Sequence, residues 1–294
     1  MQKAMVILNP SSGKEQADKN KVRIVEALYE LGYKVDVRVT EKKYDATLYA
    51  KAACKERFDT VISVGGDGTL NETINGLAEQ EYRPVLGVIP LGTVNDFARA
   101  LNIPLDCDQA IEMLKKQNIN PVDIGKVNDV YFSNIIAIGE IAEATFSVSV
   151  QQKTFLGPIA YLIEGIKTLV GRKSFRARVE HDKGEWEGDA LLVLVTLTNS
   201  GGGFKRMAPD AKINDGLMRC VIVHDVPLIK FGALVLSLIK GEHMEDPAIE
   251  YIHTSTLHVS AADGLIANVD GDEGPVIPLT IRVLKEHLNV FVPS

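Results

Sequence analysis

Short apolar runs alternate with amphipathic stretches in the first part of the chain. Runs rich in β-branched residues predict strands, at residues 5–8, 35–39, 60–64 and 85–89. Apolar positions at helical spacing predict helices, at about 19–31, 46–57, from 69 onward, from 93 toward 101, and at 106–116. This alternation is typical of βαβ units whose strands form a parallel sheet.

The pattern changes near residue 126, beyond which short strand-like runs are separated by Gly, Asn, Asp or Pro clusters. We expect strands there at 131–138, 176–181, 190–197, 217–224, 256–259 and 279–283, and helices only at about 158–170 and 228–238. Such runs indicate antiparallel β structure. The sequence therefore predicts an α/β domain over 1–126 and a β domain over 127–294, with the last residues able to return to the first domain.

Composition narrows the class of protein. The chain has 294 residues, 46% of them hydrophobic and 24% charged, which suits a globular protein of two domains. A formal charge of −7 argues against a protein that coats nucleic acid, which would need clustered cations. Cys54, Cys107 and Cys220 are scattered without CxxC spacing, which favours idle thiols in a reducing compartment over disulfides or a zinc site.

The lengths of the apolar stretches indicate whether the chain is secreted or inserted in a membrane. The N-terminal run at 5–8 is too short for a signal peptide, and the longest apolar stretch, 226–239, is interrupted by Lys230. That stretch falls short of the roughly 20 residues that a spanning helix needs. We therefore expect a cytoplasmic protein whose membrane contact, if any, is peripheral at the inner face.

Two turns share the pattern Gly-Thr-apolar-Asn-acidic, at 68–72 and at 92–96. Each follows a predicted buried strand, so both should lie at the carboxyl edge of the sheet, where open α/β sheets bind ligands. A simpler interpretation is a capping box, in which Thr69 or Thr93 caps a helix and the acid three residues on bonds back.

Capping does not account for Gly65, Gly66 and the charged Asp67 that precede the first of these turns. Glycines let a backbone approach phosphate closely, and amides at a helix N-terminus favour anions. A carboxylate near bound phosphates usually serves Mg²⁺ or a reacting hydroxyl. Neither a Walker A motif nor GxGxxG is present, so a different loop would hold the nucleotide.

A third turn at the same edge follows the first strand, with the sequence Asn9-Pro-Ser-Ser-Gly-Lys. Small hydroxyl residues, glycine and lysine suit phosphate contacts. An ordinary βα loop is the alternative.

Together, residues 9–13, 65–72 and 90–101 resemble the bacterial soluble diacylglycerol kinase and lipid kinase family, which is related to sphingosine kinases and NAD kinases. Similarity extends to 210–217 and 270–272, and so covers nearly the whole chain. The resemblance implies a nucleotide-binding α/β domain, a β-sandwich domain, and transfer of the γ-phosphoryl group of ATP, with Mg²⁺, to a lipid hydroxyl. An NAD kinase-like enzyme and a non-catalytic nucleotide- or lipid-binding regulator remain alternatives.

The same resemblance implies roles for individual residues. Asp67 would lie near the metal and the reacting centre, and the nucleotide would be bound by residues of the three turns: Asn9, Ser11, Ser12, Gly13, Gly65, Gly66, Asp67, Gly68, Thr69, Glu72, Gly92, Thr93, Asn95 and Asp96. The general base would occupy the third position of an Asp-Gly-Glu motif, where this chain has Asp272, although Glu273 could serve if the turn is shifted by one. An acidic hairpin turn is the alternative.

A second, structural Mg²⁺ is also implied, held by the Asp215 carboxylate and by Leu217 through its backbone. The family often has another acid after this leucine, whereas this chain has Met218 and Arg219. A turn without metal is equally compatible with the sequence.

A lipid substrate requires apolar surface and a route to the bilayer. Apolar residues at 155–162, followed by Arg172, Lys173, Arg176 and Arg178, could contact an anionic membrane. The apolar stripe at 228–238 is better explained by core packing. An exposed sheet edge could also pair two copies into a homodimer.

Overall fold

The computed structural model describes residues 1–12, 17–139, 174–200, 208–242, 244, 246–262 and 264–294. The chain forms two compact units, one of residues 1–123 with 286–294 and the other of residues 124–285. The pattern of the sequence placed the boundary at 126. The helix expected over 158–170 lies outside the described residues. Within the described ranges, no helix is both long and apolar enough to cross a membrane.

The first unit is a parallel α/β sheet, as the sequence predicts. Its elements are β1 (Lys3–Leu8), α1 (Ala17–Glu30), β2 (Lys34–Val39), α2 (Asp45–Lys55), β3 (Thr60–Gly65), α3 (Asp67–Leu77), β4 (Val85–Pro90), α4 (Asp96–Ala100), α5 (Cys107–Lys115) and the start of β5 (Ile119–Val127). Parallel pairing gives the order β2-β1-β3-β4. The central strands are buried along their length because helices cover the sheet.

The chain's last residues complete this sheet. Val290 pairs with Leu86 of β4 in the parallel sense, and Leu288, Val290 and Phe291 are buried. A Cβ on Gly87 would come within 3.4 Å of the Phe291 ring, which shows how tightly the returning segment packs on β4. The core of the first unit therefore includes residues from the far end of the sequence.

The second unit is antiparallel, again as the sequence predicts. Its strands are the end of β5, β6 (Val130–Phe132), β7 (Ile135–Ile138), β8 (Phe175–His181), β9 (Gly184–Thr196), β10 (Met218–His224), β11 (Ile249–Thr254), β12 (Thr256–Ala261), β13 (Ile266–Val269), β14 (Asp272–Val276) and the start of β15 (Leu279–Phe291). The order is β14-β13-β7-β9-β8-β12-β15, and β10 pairs with β9 and β11. One helix, α6 (Leu228–Lys240), is described here.

Successive side chains of β9 point to opposite faces of the sheet, and each face packs in a different apolar cluster. Val193 and Val195 point into the main cluster, whereas Leu192 and Leu194 point into a second cluster with α6. From α6, Phe231 and Leu234 are buried in this second cluster, as expected for a helix that packs on a sheet. The unit therefore has the layered packing of a β-sandwich-like domain with one helix added.

One predicted strand, over 131–138, is two strands in the structure. The Asp270 carboxylate accepts hydrogen bonds from the amides of Ser133 (2.7 Å), Asn134 (3.0 Å) and Ile135 (2.8 Å). These amides are thereby withdrawn from strand pairing, and β6 ends before them. The sequence pattern could not show this break because Asp270 is distant in the chain.

A second carboxylate fixes the β8–β9 hairpin. Asp182 accepts hydrogen bonds from the amide (2.6 Å) and hydroxyl (2.8 Å) of Ser255 and from the Thr256 hydroxyl, in the turn between β11 and β12. The Thr256 hydrogen bond is the main cause that lowers the pKa of the Asp182 carboxyl below its ordinary value of 3.8. The ionised form therefore stabilises the fold.

We predict that Asp182→Asn destabilises the protein at pH 7 by about 1 kcal/mol, because charge-assisted hydrogen bonds become weaker neutral ones. The folded-state pKa is lowered, so this stabilisation is present above the ordinary pKa and is lost as pH falls below it. Urea unfolding from pH 7 to pH 2 should show a constant difference between the variant and the native chain down to about pH 4, and a difference that narrows below it, toward the lowered folded-state pKa. Asp129→Asn, in the exposed β5–β6 turn, is the control. A constant difference at all pH values would contradict the prediction.

Candidate active site

Three loops of the first unit meet at the carboxyl edge of its sheet. Leu8 is in register with Val64, and Gly65 with Pro90, so β1, β3 and β4 end side by side. The loops that follow, at 9–12, 66–69 and 91–95, bring together most residues that the sequence singled out. Gly13 lies outside the described residues.

Asn9 joins the first loop to the second. Its side-chain amide donates to the Thr69 hydroxyl at 3.0 Å, and its side-chain oxygen accepts from the amide (3.0 Å) and hydroxyl (2.7 Å) of Ser11. Asn9 also donates its backbone amide to Val64 at 3.0 Å. Asn9 therefore fixes both the shape of its own turn and its distance from α3.

Asp67 joins the second loop to the third. One carboxylate oxygen accepts the amide of Asn95 at 2.7 Å and the other accepts the amide of Asp96 at 2.8 Å. Asp67 thus has a structural role that the sequence did not reveal. Asparagine carries an NH₂ donor in place of one of these oxygens, so it could not offer each amide a separate acceptor atom.

Asn95 closes the third loop on itself. Its side-chain oxygen accepts the Gly92 amide at 3.1 Å and its side-chain amide donates to the Gly92 carbonyl at 2.8 Å. The residue has a positive φ of 55°, a conformation that asparagine tolerates better than most residues. Asn95 and Asp96 are both buried, whereas Thr93 is exposed at the tip of the loop.

Close packing between the loops accounts for several glycines. A Cβ on Gly92 would lie 2.6 Å from the Gly66 Cα, and one on Gly65 would lie 2.6 Å from the Thr69 hydroxyl oxygen. A side chain at Gly92 would force the second and third loops apart, and one at Gly65 would displace Thr69 within the second loop. These glycines are needed for the fold whether or not a ligand binds.

Gly68 is different. Among the described residues, no atom lies within 4 Å of a Cβ built at this position, and its φ does not require glycine. It is exposed in the first turn of α3, where the backbone amides point outward. Packing therefore leaves Gly68 unexplained, and a ligand that approaches this backbone would explain it.

The capping boxes, which were the simpler alternative interpretation of the two turns, are absent from the described structure. α3 begins at Asp67 with Gly66 as its N-cap, and α4 begins at Asp96 with Asn95 as its N-cap, neither with a side-chain cap among the described residues. Thr69 lies inside α3. Glu72 bonds instead to the amide of Tyr44 at 2.9 Å, at the start of α2, so its carboxylate is engaged away from the three loops.

The electrostatics of Asp67 are those of a partly desolvated carboxylate. A small cavity lined in part by Leu70, Val88 and Ala98 lies against it. Burial raises the pKa of Asp67 above its ordinary value, although the amides of Asn95 and Asp96 and the charge of Arg99 act to lower it. The site thus holds a negative charge that a further cation would stabilise.

Asp272 and Glu273 begin β14, directly after a two-residue turn. Asp270 and Gly271 both have positive φ, as a type I′ turn requires, and Val269 pairs with Asp272. Successive strand residues point to opposite faces, so the two acids cannot exchange roles without a change of register. Both are exposed.

The remaining predicted residues lie elsewhere in the second unit. Asp215 and Leu217 contact the Arg219 guanidinium, and no group of three or more His, Cys, Asp or Glu in the described ranges is arranged to hold a metal. Arg176 is paired with Glu187 at 2.9 Å and Arg178 with Glu180 at 2.9 Å. Arg172, Lys173 and residues 155–162 lie outside the described residues.

Sequence comparison assigns both units. Residues 3–127 match the family described as the diacylglycerol kinase catalytic domain. Residues 135–292 match the family described as the YegS C-terminal NAD kinase beta sandwich-like domain. The chain belongs to the bacterial diacylglycerol kinase family. The resemblance inferred from the loop motifs is confirmed.

Individual relatives of this diacylglycerol kinase family member match along its length. A diacylglycerol kinase of Staphylococcus aureus (strain bovine RF122 / ET3-1) is 40% identical over 292 residues, which cover 99% of this chain and 93% of the relative. One of Staphylococcus haemolyticus (strain JCSC1435) is 39% identical, covering 99% and 88%. The crystal structure of a diacylglycerol kinase from Bacillus anthracis str. Sterne has a TM-score of 0.84 at 28% identity, covering 100% and 98%.

Two further residues lie at the kinase loops, although they were not among the predicted site residues. Thr40 follows β2 and donates its amide to the Leu8 carbonyl at 2.9 Å, which adds a fourth loop to the same edge. Arg99 donates to the Val94 carbonyl at 2.6 Å and brings a positive charge toward Asp67. Thr40 has no motif around it, and the 90–101 motif does not show that Arg99 lies near Asp67, so the three-dimensional arrangement is needed to identify both.

Gly92→Ala should destabilise the kinase by about 1–3 kcal/mol, because its Cβ would overlap the Gly66 backbone and the loops cannot move apart freely. Gly68→Ala should leave stability unchanged or raise it by less than about 1 kcal/mol, since alanine favours helix and the space is open. Urea unfolding followed by circular dichroism measures both. Equal destabilisation by the two variants would contradict this account of the loops.

Proposed function

We propose that this family member is an ATP-dependent lipid kinase that transfers the γ-phosphoryl group of ATP to the free hydroxyl of diacylglycerol. The relatives that match along 99% of the chain are diacylglycerol kinases. The observation that carries the proposal is the set of three interlocked loops, which present Asp67, Gly68 and the N-terminus of α3 at one sheet edge.

The nucleotide phosphates bind, in this proposal, against the first turn of α3. Amides at a helix N-terminus and the helix dipole favour anions. Gly68 lets phosphate oxygens approach the backbone, and Thr93 at the tip of the third loop is exposed to the same side of the sheet edge. Ser11, Ser12 and Gly13 contribute from the first loop.

The residues of this edge fit one Mg²⁺ that is bound together with the nucleotide. Each Asp67 oxygen accepts one amide and retains a second lone pair, and protein sites commonly hold Mg²⁺ with one or two carboxylates plus phosphate oxygens. When bound, this ion would offset the negative charge of the phosphates. The chain's own contribution is to hold the carboxylate still through two backbone amides.

The chemical step is an in-line displacement at the γ-phosphorus. The hydroxyl oxygen of the acceptor forms a bond to phosphorus as the bond to the β,γ-bridging oxygen breaks, and ADP leaves with that electron pair. The hydroxyl proton passes to a carboxylate of β14, which we assign to Asp272. Its position, directly after the rigid Asp270-Gly271 turn, restricts where that carboxylate can reach.

Gly68→Ala should weaken MgATP binding by about tenfold or more, which corresponds to about 1.4 kcal/mol, because the added methyl group occupies the space that phosphate would enter. Isothermal titration calorimetry with MgATP measures the effect. Gly232→Ala is the matched control, since Gly232 is also a helical glycine with open space around it, but lies in α6 of the second unit. If Gly68→Ala binds MgATP as tightly as the native chain does, the proposal that phosphate contacts this turn is wrong.

Asp272→Ala should lower kcat for diacylglycerol phosphorylation by about 10²–10⁴, the range expected for loss of a general base. Glu273→Ala should stay within a few-fold of the native enzyme, because its side chain leaves the opposite face of β14. Radiolabelled ATP with diacylglycerol in mixed vesicles measures both, with NAD as a control acceptor. A loss confined to Glu273→Ala would reassign the base, and transfer to NAD alone would refute the lipid acceptor.

A further inference from the structure

Arg219 in β10 is a buried cation whose guanidinium is surrounded by oxygen acceptors. Its side chain is 3% exposed. One guanidinium nitrogen donates to Asp215 at 3.2 Å and to the Leu217 carbonyl at 3.0 Å. The other donates to Asp215 at 2.7 Å and to the Asp210 carbonyl at 2.8 Å, while Nε donates to the Asp210 carboxylate at 3.4 Å. Each of the five N–H groups of the guanidinium thus has an acceptor.

The acceptors are of the kind that bind a hard divalent cation. They comprise both oxygens of the Asp215 carboxylate, the Leu217 carbonyl and the Asp210 carbonyl. Asp215 and Leu217 are the residues that the family resemblance assigns to a structural Mg²⁺. In this chain the guanidinium lies on these same oxygens.

A Mg²⁺ ion does not fit this arrangement while Arg219 is present. The ion requires near-octahedral oxygen ligands at about 2.0–2.1 Å, and those ligands here already hold a positive group at hydrogen-bond distance. Two cations on one carboxylate would repel each other in a partly buried site. Expelling Arg219 would leave its five donors without these partners and its charge without Asp215.

The surroundings also supply negative charge for Arg219. Asp210 accepts hydrogen bonds from the Tyr251 hydroxyl at 2.5 Å and lies 2.5 Å from Nε2 of His253, on β11. Burial acts to raise the pKa of Asp210, but Tyr251, His253 and Arg219 together lower it to about 2. The Asp210 carboxylate is therefore ionised, and Arg219 lies between it and Asp215.

We propose that the Arg219 guanidinium takes the place of a structural magnesium ion in this chain and holds the loop at 210–217 against β10 and β11. The cation is covalently attached, so it is neither diluted away nor removed by a chelator. The loop then needs no metal of its own, and the kinase needs Mg²⁺ only as part of its nucleotide substrate.

The test measures unfolding of the full chain without nucleotide, in EDTA and in millimolar Mg²⁺. Trp186 is the chain's single tryptophan and lies in β9, so its fluorescence reports the second unit. The native chain should unfold at the same temperature in both solutions. Arg219→Ala should unfold at lower temperature in EDTA and regain about 4 °C in Mg²⁺, because the vacated oxygens can then bind the ion.

Controls separate this site from others. Arg178→Ala removes an exposed arginine of β8 and should show no response to Mg²⁺. Arg219→Ala combined with Asp215→Asn should lose the response that Arg219→Ala gains. If Arg219→Ala does not fold, calorimetric titration of the native chain with MgCl₂ decides instead. A native transition raised by Mg²⁺, or Mg²⁺ binding that Asp215→Asn abolishes, would overturn the proposal.

Discussion

The shared edge of the first unit depends on one carboxylate that accepts two backbone amides. Asp67 belongs to α3, and the amides belong to the start of α4. Because the bonds join consecutive amides to separate oxygens, they fix both the distance and the orientation of the third loop. Asn9 likewise fixes the position of the first loop through its hydrogen bond to Thr69. The three loops therefore behave as one surface, which is what a catalyst that works by positioning phosphate requires.

The same use of aspartate recurs throughout the chain. Asp45 accepts the amides of residues 41 and 42, Asp106 those of residues 108 and 109, and Asp270 those of residues 133–135. Several aspartates of the chain thus accept hydrogen bonds from backbone amides in turns and loops. An aspartate in a glycine-rich turn is consequently weak evidence for catalysis until its hydrogen bonds are known, as the two amides bound by Asp67 illustrate.

The parallel sheet, the antiparallel unit and the three loops could be predicted because each leaves a local signal in the sequence. Contacts between distant segments could not. Glycines at 65 and 92 look like phosphate ligands in the sequence, yet close packing against Thr69 and against the Gly66 backbone already requires them. Helix starts at Thr69 and Thr93 were misplaced because the true caps, Gly66 and Asn95, depend on those contacts. Arg219 was noticed only as a departure, since its five acceptors lie at 210, 215 and 217.

The return of the chain to the first unit has a consequence for biosynthesis. Residues 286–294 supply buried side chains beside β4, and His287 bonds to the amide of Glu79 at 2.9 Å and to the Arg83 guanidinium through its carbonyl. During translation, residues 1–123 leave the ribosome before residues 286–294 are synthesised. At that stage β4 lacks its pairing with the last strand. The nucleotide-binding unit can reach its full set of contacts only after residues 286–294 have been synthesised, which places the appearance of phosphotransfer after translation of the second unit.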